Sequence, residues 1–285
     1  MSKRLDHIDG LRGIAAMLVV IGHWAETIAQ KAVTSDVSAG LKMIFLEYFS
    51  TGRAGVVAFF CISGFVIPFS FKGDRPLAAF VISRIFRLYP AYWLAIALIL
   101  STVSLTIPST WNIIANTTML TKFFGQPYIL SISWTLTIEL IFYLICFMAY
   151  GVRLLHSPKF NFSMITFFCT LALAMAAYRW QHPGSGMPAG LQTFLAAMHF
   201  GTLIRLWVFE KKPGAEGLGK AALAILSISV LVANSVGYFY AMPSGPENDI
   251  GWIAINTGYF AGLILFLACI VGSCSAARQS CSWGR

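Results

Sequence analysis

Leu11-Arg12-Gly13-Ile14-Ala15-Ala16-Met17-Leu18-Val19-Val20-Ile21-Gly22-His23-Trp24-Ala25-Glu26-Thr27-Ile28-Ala29 is the stretch that decides the fold. Its length suits the hydrocarbon core of a bilayer, which takes about 20 mostly apolar residues of α-helix. It lacks the alternation of a β-barrel strand, and backbone groups in lipid must be satisfied internally, so a helix is the sensible span. Arg12, His23 and Glu26 lie inside it. A cleavable signal peptide has a short, purely apolar centre and a small-residue cleavage site. The run therefore reads as a first membrane helix, retained in the mature protein.

Further apolar runs of span length follow at roughly 53–71, 89–107, 129–150, 161–178, 188–208, 219–240 and 250–273. The composition agrees: 58% of the residues are hydrophobic and 11% charged, with a mean hydropathy of +0.74. A soluble domain has about 25% charged residues; charge as scarce as this cannot cover a water-soluble globule. The expected fold class is an all-α, polytopic transmembrane helix bundle of about eight spans. One transmembrane domain is expected over 1–273, followed by a short polar tail, 274–285, without a helix pattern. Between the spans, 72–88 reads as a basic loop in which Pro76 starts a short helix. Residues 108–128 read as a semi-polar external loop or re-entrant piece. Lys211-Lys212-Pro213-Gly214 and the Pro243/Gly245/Pro246 group read as turns.

The net charge of +9 raises nucleic acid as a partner. The placement of the charges removes it. With the N-terminus in the cytoplasm, the non-cytoplasmic side holds only Lys31, Lys42, Arg53, Lys122 and Arg179 of the 20 Lys and Arg residues. That is a strong positive-inside bias, so the positive charge orients the protein in its membrane. Cys61, Cys146, Cys169, Cys269, Cys274 and Cys281 make no Cys-x-x-Cys pair. They point to neither a zinc motif nor a disulfide framework, and no bound metal is expected.

Ionisable side chains within spans are costly and usually mark function; four segments qualify. In the first, Asp9-Gly10-Leu11-Arg12-Gly13 precedes His23. Eleven residues are close to three helical turns, so Arg12 and His23 share one side, about 16 Å apart. The expectation is that they line one buried stripe, with Glu26 one turn beyond His23. His23 then reads either as a general base or as a histidine hydrogen-bonding across a helix interface. In the second segment, Gly55–Phe65, the small residues Ser63 and Gly64 permit close packing or backbone access to a ligand. In the third, Arg84 and Arg87 are three apart and share a helix face. They could fork onto phosphate groups or anchor the span on anionic lipid. In the fourth, Ser133–Tyr143, Glu139 lies near the middle of a span and requires a partner, from Arg12, Arg84, Arg87 or His23, or else is purely structural.

In this order the four segments resemble the acyltransferase-3 family of multi-spanning membrane proteins, which acylate exported glycans, lipids or small molecules. The resemblance rests on Ile8-Asp9-Gly10-Leu11-Arg12-Gly13 with His23. It rests equally on Gly55–Phe65, on Phe80, Arg84, Arg87 and Pro90, and on Trp134, Leu136, Glu139, Phe142 and Tyr143. It covers residues 5–145, about half the chain. The family often has acidic residues where Val57 and Leu140 stand. It usually has about ten spans, so the expected bundle is that of a member truncated from about ten.

The resemblance implies an enzyme: a membrane O-acyltransferase moving an acetyl or other acyl group from acyl-coenzyme A to a hydroxyl of a carbohydrate or lipid-linked glycan. His23 and Glu139 are the implied catalytic residues. Asp9, Arg12, Ser63, Gly64, Arg84, Arg87, Trp134 and Tyr143 are the implied donor- or substrate-binding residues. No cofactor would be held permanently; acyl-coenzyme A, acetyl-CoA above all, would be a co-substrate reaching the arginines from the cytoplasm. The setting implied is a bacterial inner membrane. A transporter using His23, Glu26 and Glu139 as a proton or ion path is the competing reading, although the inverted repeats that would favour it are not evident. A third reading is a structural or regulatory membrane protein without activity.

Overall fold

The computed structural model describes residues 6–31, 40, 43–102, 108–182, 190–240 and 251–282. The main helices are α1 (Asp6–Lys31), α2 (Thr51–Val66), α3 (Pro76–Thr102), α4 (Thr110–Thr117), α5 (Trp134–Gly151), α6 (Pro158–Gln181), α7 (Gly190–Val208), α8 (Ala215–Tyr240) and α9 (Trp252–Ser282). The fold is all-α, with no strand among the described residues. Among the described residues seven helices are long and apolar enough to cross a membrane: Ile8–Ile28, Thr51–Phe69, Pro76–Thr102, Ser131–Gly151, Pro158–Gln181, Ala215–Val236 and Trp252–Gly272. The protein is an integral membrane helix bundle. The expected turn around Pro243 lies outside the described residues.

The chain forms two compact units, one of residues 1–66 and 156–285, the other of 67–155. In the first unit α7 is the innermost helix: every residue from Gln192 to Ile204 is buried. It packs against α2, α6 and α8. The eighth expected span, 188–208, contains this helix, its first two residues lying outside the described ones. A helix surrounded by protein need not match lipid, so α7 can carry Gln192, Thr193, His199 and Thr202. Its approach to α2 is backbone to backbone. A methyl group on Gly64 would overlap the Met198 carbonyl, and one on Gly201 would overlap the Cys61 carbonyl. The Thr202 hydroxyl donates to the Gly64 carbonyl at 2.8 Å across this crossing. Small residues hold membrane helices together because lipid supplies no hydrophobic drive between them.

Against α2 lies α1, whose buried residues Ile8, Leu11, Ala15, Gly22 and Ala25 make a narrow stripe at helical spacing. Gly22 meets the Gly52 backbone; Gly55 of α2 meets the Ala15 carbonyl. α9 packs on α2 and α8, and Gly262 comes against Ala54 and Val57. It continues to Ser282, whereas the sequence led us to expect no helix pattern after residue 273. Ala276, Ala277, Arg278 and Gln279 are good helix formers, and a helix already begun adds residues at little cost.

The second unit is built on α3, α4 and α5. The short helix expected at Pro76 and the span expected from 89 are one continuous helix, α3, with Pro90 inside it. Arg84 and Arg87 interrupt the hydropathy without lowering helix propensity. Residues 108–128, expected as an external loop or re-entrant piece, contain the two-turn helix α4, whose N-terminus is capped by the Ser109 side chain. Buried Asn116 clasps the chain that follows: its amide donates to the Pro127 carbonyl at 3.1 Å and its carbonyl accepts from the Ile129 N–H at 3.0 Å. Trp93 Nε1 donates to the Thr117 carbonyl at 3.1 Å, and the Thr137 hydroxyl to the Met119 carbonyl at 2.6 Å. These bonds join α3, α4 and α5 around Tyr92, Ile96 and Met119.

Candidate active site

In the first unit, α1 is unbroken from Asp6 to Lys31, so the helical register between Arg12 and His23 holds. Eleven residues turn an α-helix by about 20° beyond three full turns. Each of the two follows a stripe residue, Leu11 or Gly22, by one position. They therefore flank the buried stripe on the same side and are not part of it, contrary to expectation. The α1–α2 approach is too close at Gly22 to admit an imidazole. Arg12 is part-buried and its Nη1 lies 3.7 Å from Asp9 Oδ1. The His23 side chain is 58% exposed, and its Nδ1 lies 3.6 Å from Glu26 Oε2.

Gly64 and Ser63 are buried in α2. One face of Gly64 is filled by the α7 backbone. This is the close packing that small residues allow.

In the second unit, Glu139 is buried on α5, and one turn later the Tyr143 hydroxyl donates to its Oε1 at 2.5 Å. The Arg84 guanidinium lies over the Tyr143 ring at 5.3 Å and over the Phe80 ring at 5.2 Å. Phe71 extends the wall, stacking on Phe80 and on Tyr150 with ring centroids 4.1 Å apart in each case. Glu139, Tyr143 and Arg84 thus form one contiguous group. The carboxylate finds its arginine through a tyrosine. Arg87 does not join it. Although three residues from Arg84, it is exposed, because three residues leave a 60° offset on a helix of 3.6 residues per turn. Trp134 opens α5, partly exposed.

Sequence reasoning passed over two groups in the first unit. His199 of α7 is fully buried, with Nδ1 3.0 Å from Asn161 Oδ1 and its ring stacked on Phe168. Arg53, at the start of α2, lies over the Tyr259 ring at 5.5 Å, and the Tyr259 hydroxyl is 3.0 Å from Thr193 Oγ1. A histidine inside an apolar run was the available signal for the first; a cation at a span boundary was the signal for the second. Among the described residues no cluster of His, Cys, Asp and Glu is arranged to hold a metal ion.

A family model described as an acyltransferase domain matches residues 5–284. The chain is a member of the acyltransferase-3 family. The match runs well past the motif-bearing residues 5–145 and takes in α6 to α9. Over 152 residues, half of the chain, the sequence is 28% identical to "Acyltransferase MdmB" of Streptomyces mycarofaciens. The aligned part spans 38% of that relative. No solved structure matches the chain significantly.

Proposed function

We propose that the protein is a membrane O-acyltransferase that moves an acyl group from acyl-coenzyme A to a hydroxyl of a carbohydrate or related acceptor. The observation that carries this reading is His23, the exposed histidine of α1 in an acyltransferase-3 chain, set on the same side of its helix as Arg12. A base must be reachable by its substrate, and the 58% exposure of the His23 side chain supports that role. With Nδ1 directed to Glu26, its Nε2 is the nitrogen left for an acceptor. The acceptor O–H gives its proton to Nε2 as its oxygen attacks the thioester carbonyl. The C–S bond then breaks, and the thiolate leaves with a proton returned from the imidazolium. The products are the ester and the free thiol.

In the second unit Arg84 and Arg87 are assigned to the phosphates of the donor, which a guanidinium grips through forked hydrogen bonds; Arg12 of the first unit is assigned to donor or substrate binding on the family resemblance alone. Asp9 orients Arg12, at 3.7 Å. Glu139 fixes Tyr143, whose ring supports Arg84. Trp134 opens the same helix and is assigned to donor or substrate binding. Ser63 and Gly64 serve by letting α2 seat closely against α7. The acetyl group is the acyl group proposed, a lipid-linked glycan is within the proposed acceptor class, and the bacterial inner membrane with a cytoplasmic N-terminus is the proposed setting, on the charge bias of the loops.

Purified protein incubated with radiolabelled acetyl-CoA and candidate glycan acceptors tests the reading. Labelled ester should form with the native chain and fall at least about 100-fold in His23→Ala, the lower end of what a general base contributes. Equal turnover by the two proteins would overturn the assignment. Proton flux in liposomes without acyl transfer would point to a transporter instead.

A further inference from the structure

We propose that Glu26 is a positioning residue for His23, forming with it a carboxylate–imidazole pair built into one helix. The proposal rests on the reading of His23 as base and assigns a role to a carboxylate that belongs to none of the four motifs. Glu26 stands three residues after His23, so the side chains meet on one face of α1, and Oε2 lies 3.6 Å from Nδ1. The carboxylate is the more enclosed partner, its side chain 21% exposed against 58% for the imidazole. That is the order needed of a support and a reactive group.

The enclosure has a cause in the packing of α1 on α2. One turn before Glu26, Gly22 brings the α1 backbone against Gly52. Glu26 then lies over the first turn of α2, and its Oε1 is 4.0 Å from the point a Cβ on Gly52 would occupy. The N-terminal end of a helix favours a negative charge, so α2 holds the carboxylate while the carboxylate holds the imidazole. An anion at Nδ1 keeps the proton on that nitrogen and leaves Nε2 as acceptor; it also stabilises the imidazolium formed when the acceptor hydroxyl is deprotonated. No bond to substrate is made by Glu26, and the proton still travels between the acceptor oxygen and Nε2.

The experiment compares Glu26→Gln, Glu26→Leu and His23→Ala with the native chain in the acetyl-CoA assay. In parallel, 15N spectra of histidine-labelled protein follow the His23 ring, assigned by its loss in His23→Ala. Gln keeps an acceptor for Nδ1–H but loses the charge, so Glu26→Gln should lower kcat about 10-fold and keep the Nδ1–H tautomer. Leu removes both, so Glu26→Leu should lower kcat roughly 100-fold and shift the tautomer toward Nε2–H, with KM for the donor within about twofold. Thermal unfolding of each variant separates these effects from loss of fold, and Glu26→Gln, nearly isosteric, remains informative if Glu26→Leu does not fold. Native kcat in both Glu26 variants, or a reduced kcat in Glu26→Leu with the Nδ1–H tautomer unchanged, would overturn the positioning role while the base reading stands. Full activity in His23→Ala would overturn both.

Discussion

Tyr143→Phe removes one oxygen from the second unit and leaves the ring that supports Arg84. The Tyr143 hydroxyl donates to Glu139 Oε1 at 2.5 Å, and Glu139 is 7% exposed. A hydrogen bond to a charged acceptor contributes about 1.5–3 kcal/mol. The phenyl ring retains the contacts at 5.3 Å with the Arg84 guanidinium and at 5.8 Å with the Phe80 ring. No large cavity opens, so the hydrogen bond dominates and the expected destabilisation is about 2 kcal/mol, roughly 30-fold in the unfolding equilibrium. Tyr143→Leu also removes the cation–π contact, worth about 0.5–2 kcal/mol, and should cost correspondingly more. Glu139→Gln in the Tyr143→Phe background should recover part of the loss, because a neutral amide is less costly to leave without its donor than a carboxylate. The assay is reversible unfolding in mixed micelles with increasing denaturing detergent, read by tryptophan fluorescence. Tyr143→Phe as stable as the native protein, or as costly as Tyr143→Leu, would refute the reasoning.

Gly64→Ala should be among the most damaging single methyl additions, since the methyl meets backbone of α7 that no rotamer change can move; a loss of about 3 kcal/mol or failure to express is expected, read by detergent unfolding. Asn116→Leu leaves the Ile129 N–H and Pro127 carbonyl without their side-chain partner and should cost about 2–3 kcal/mol, with accelerated proteolysis in 118–130 as the local check. Arg84→Lys should raise the KM for acetyl-CoA roughly 10-fold while leaving the fold intact, because an ammonium keeps the charge but loses the planar fork over the rings at 5.2 and 5.3 Å. His199→Gln should lower stability while keeping kcat within about twofold of native, since no substrate reaches a fully buried imidazole; a 100-fold loss of kcat in a folded variant would contradict this.

The membrane helices were largely legible in the sequence, because hydropathy reports the surrounding solvent and seven of the helices meet lipid-like requirements. α7 was legible as a helix but not as an interior one. Its place shows in residues such as the glycine at 201, whose backbone contact with Cys61 depends on a partner 140 residues earlier in the chain. In the candidate site, helical periodicity correctly put Arg12 and His23 on one side, and it put Glu26 within reach of His23. It failed to separate Arg84 from Arg87. What draws Arg84 inward is a wall of rings from three places, Phe80 on its own helix, Phe71 before it and Tyr143 on α5. Long-range ring contacts leave no periodic trace. The tail was misread because polar composition argues against a span, not against a helix.

Two histidines sit in apolar stretches of this chain, and rarity in a span selects both equally. Their surroundings separate them. His199 is enclosed by Phe160 and Phe168 and bonded through Nδ1 to Asn161, so that nitrogen serves the α6–α7 contact. His23 keeps more than half its side chain accessible, and its neighbour is an acid. An accessible imidazole on a membrane helix gives up the burial that would repay its cost in lipid. The acyltransferase reading supplies a reason for such an arrangement, because proton transfer requires substrate at Nε2 and a fixed charge at Nδ1. A purely structural histidine requires neither.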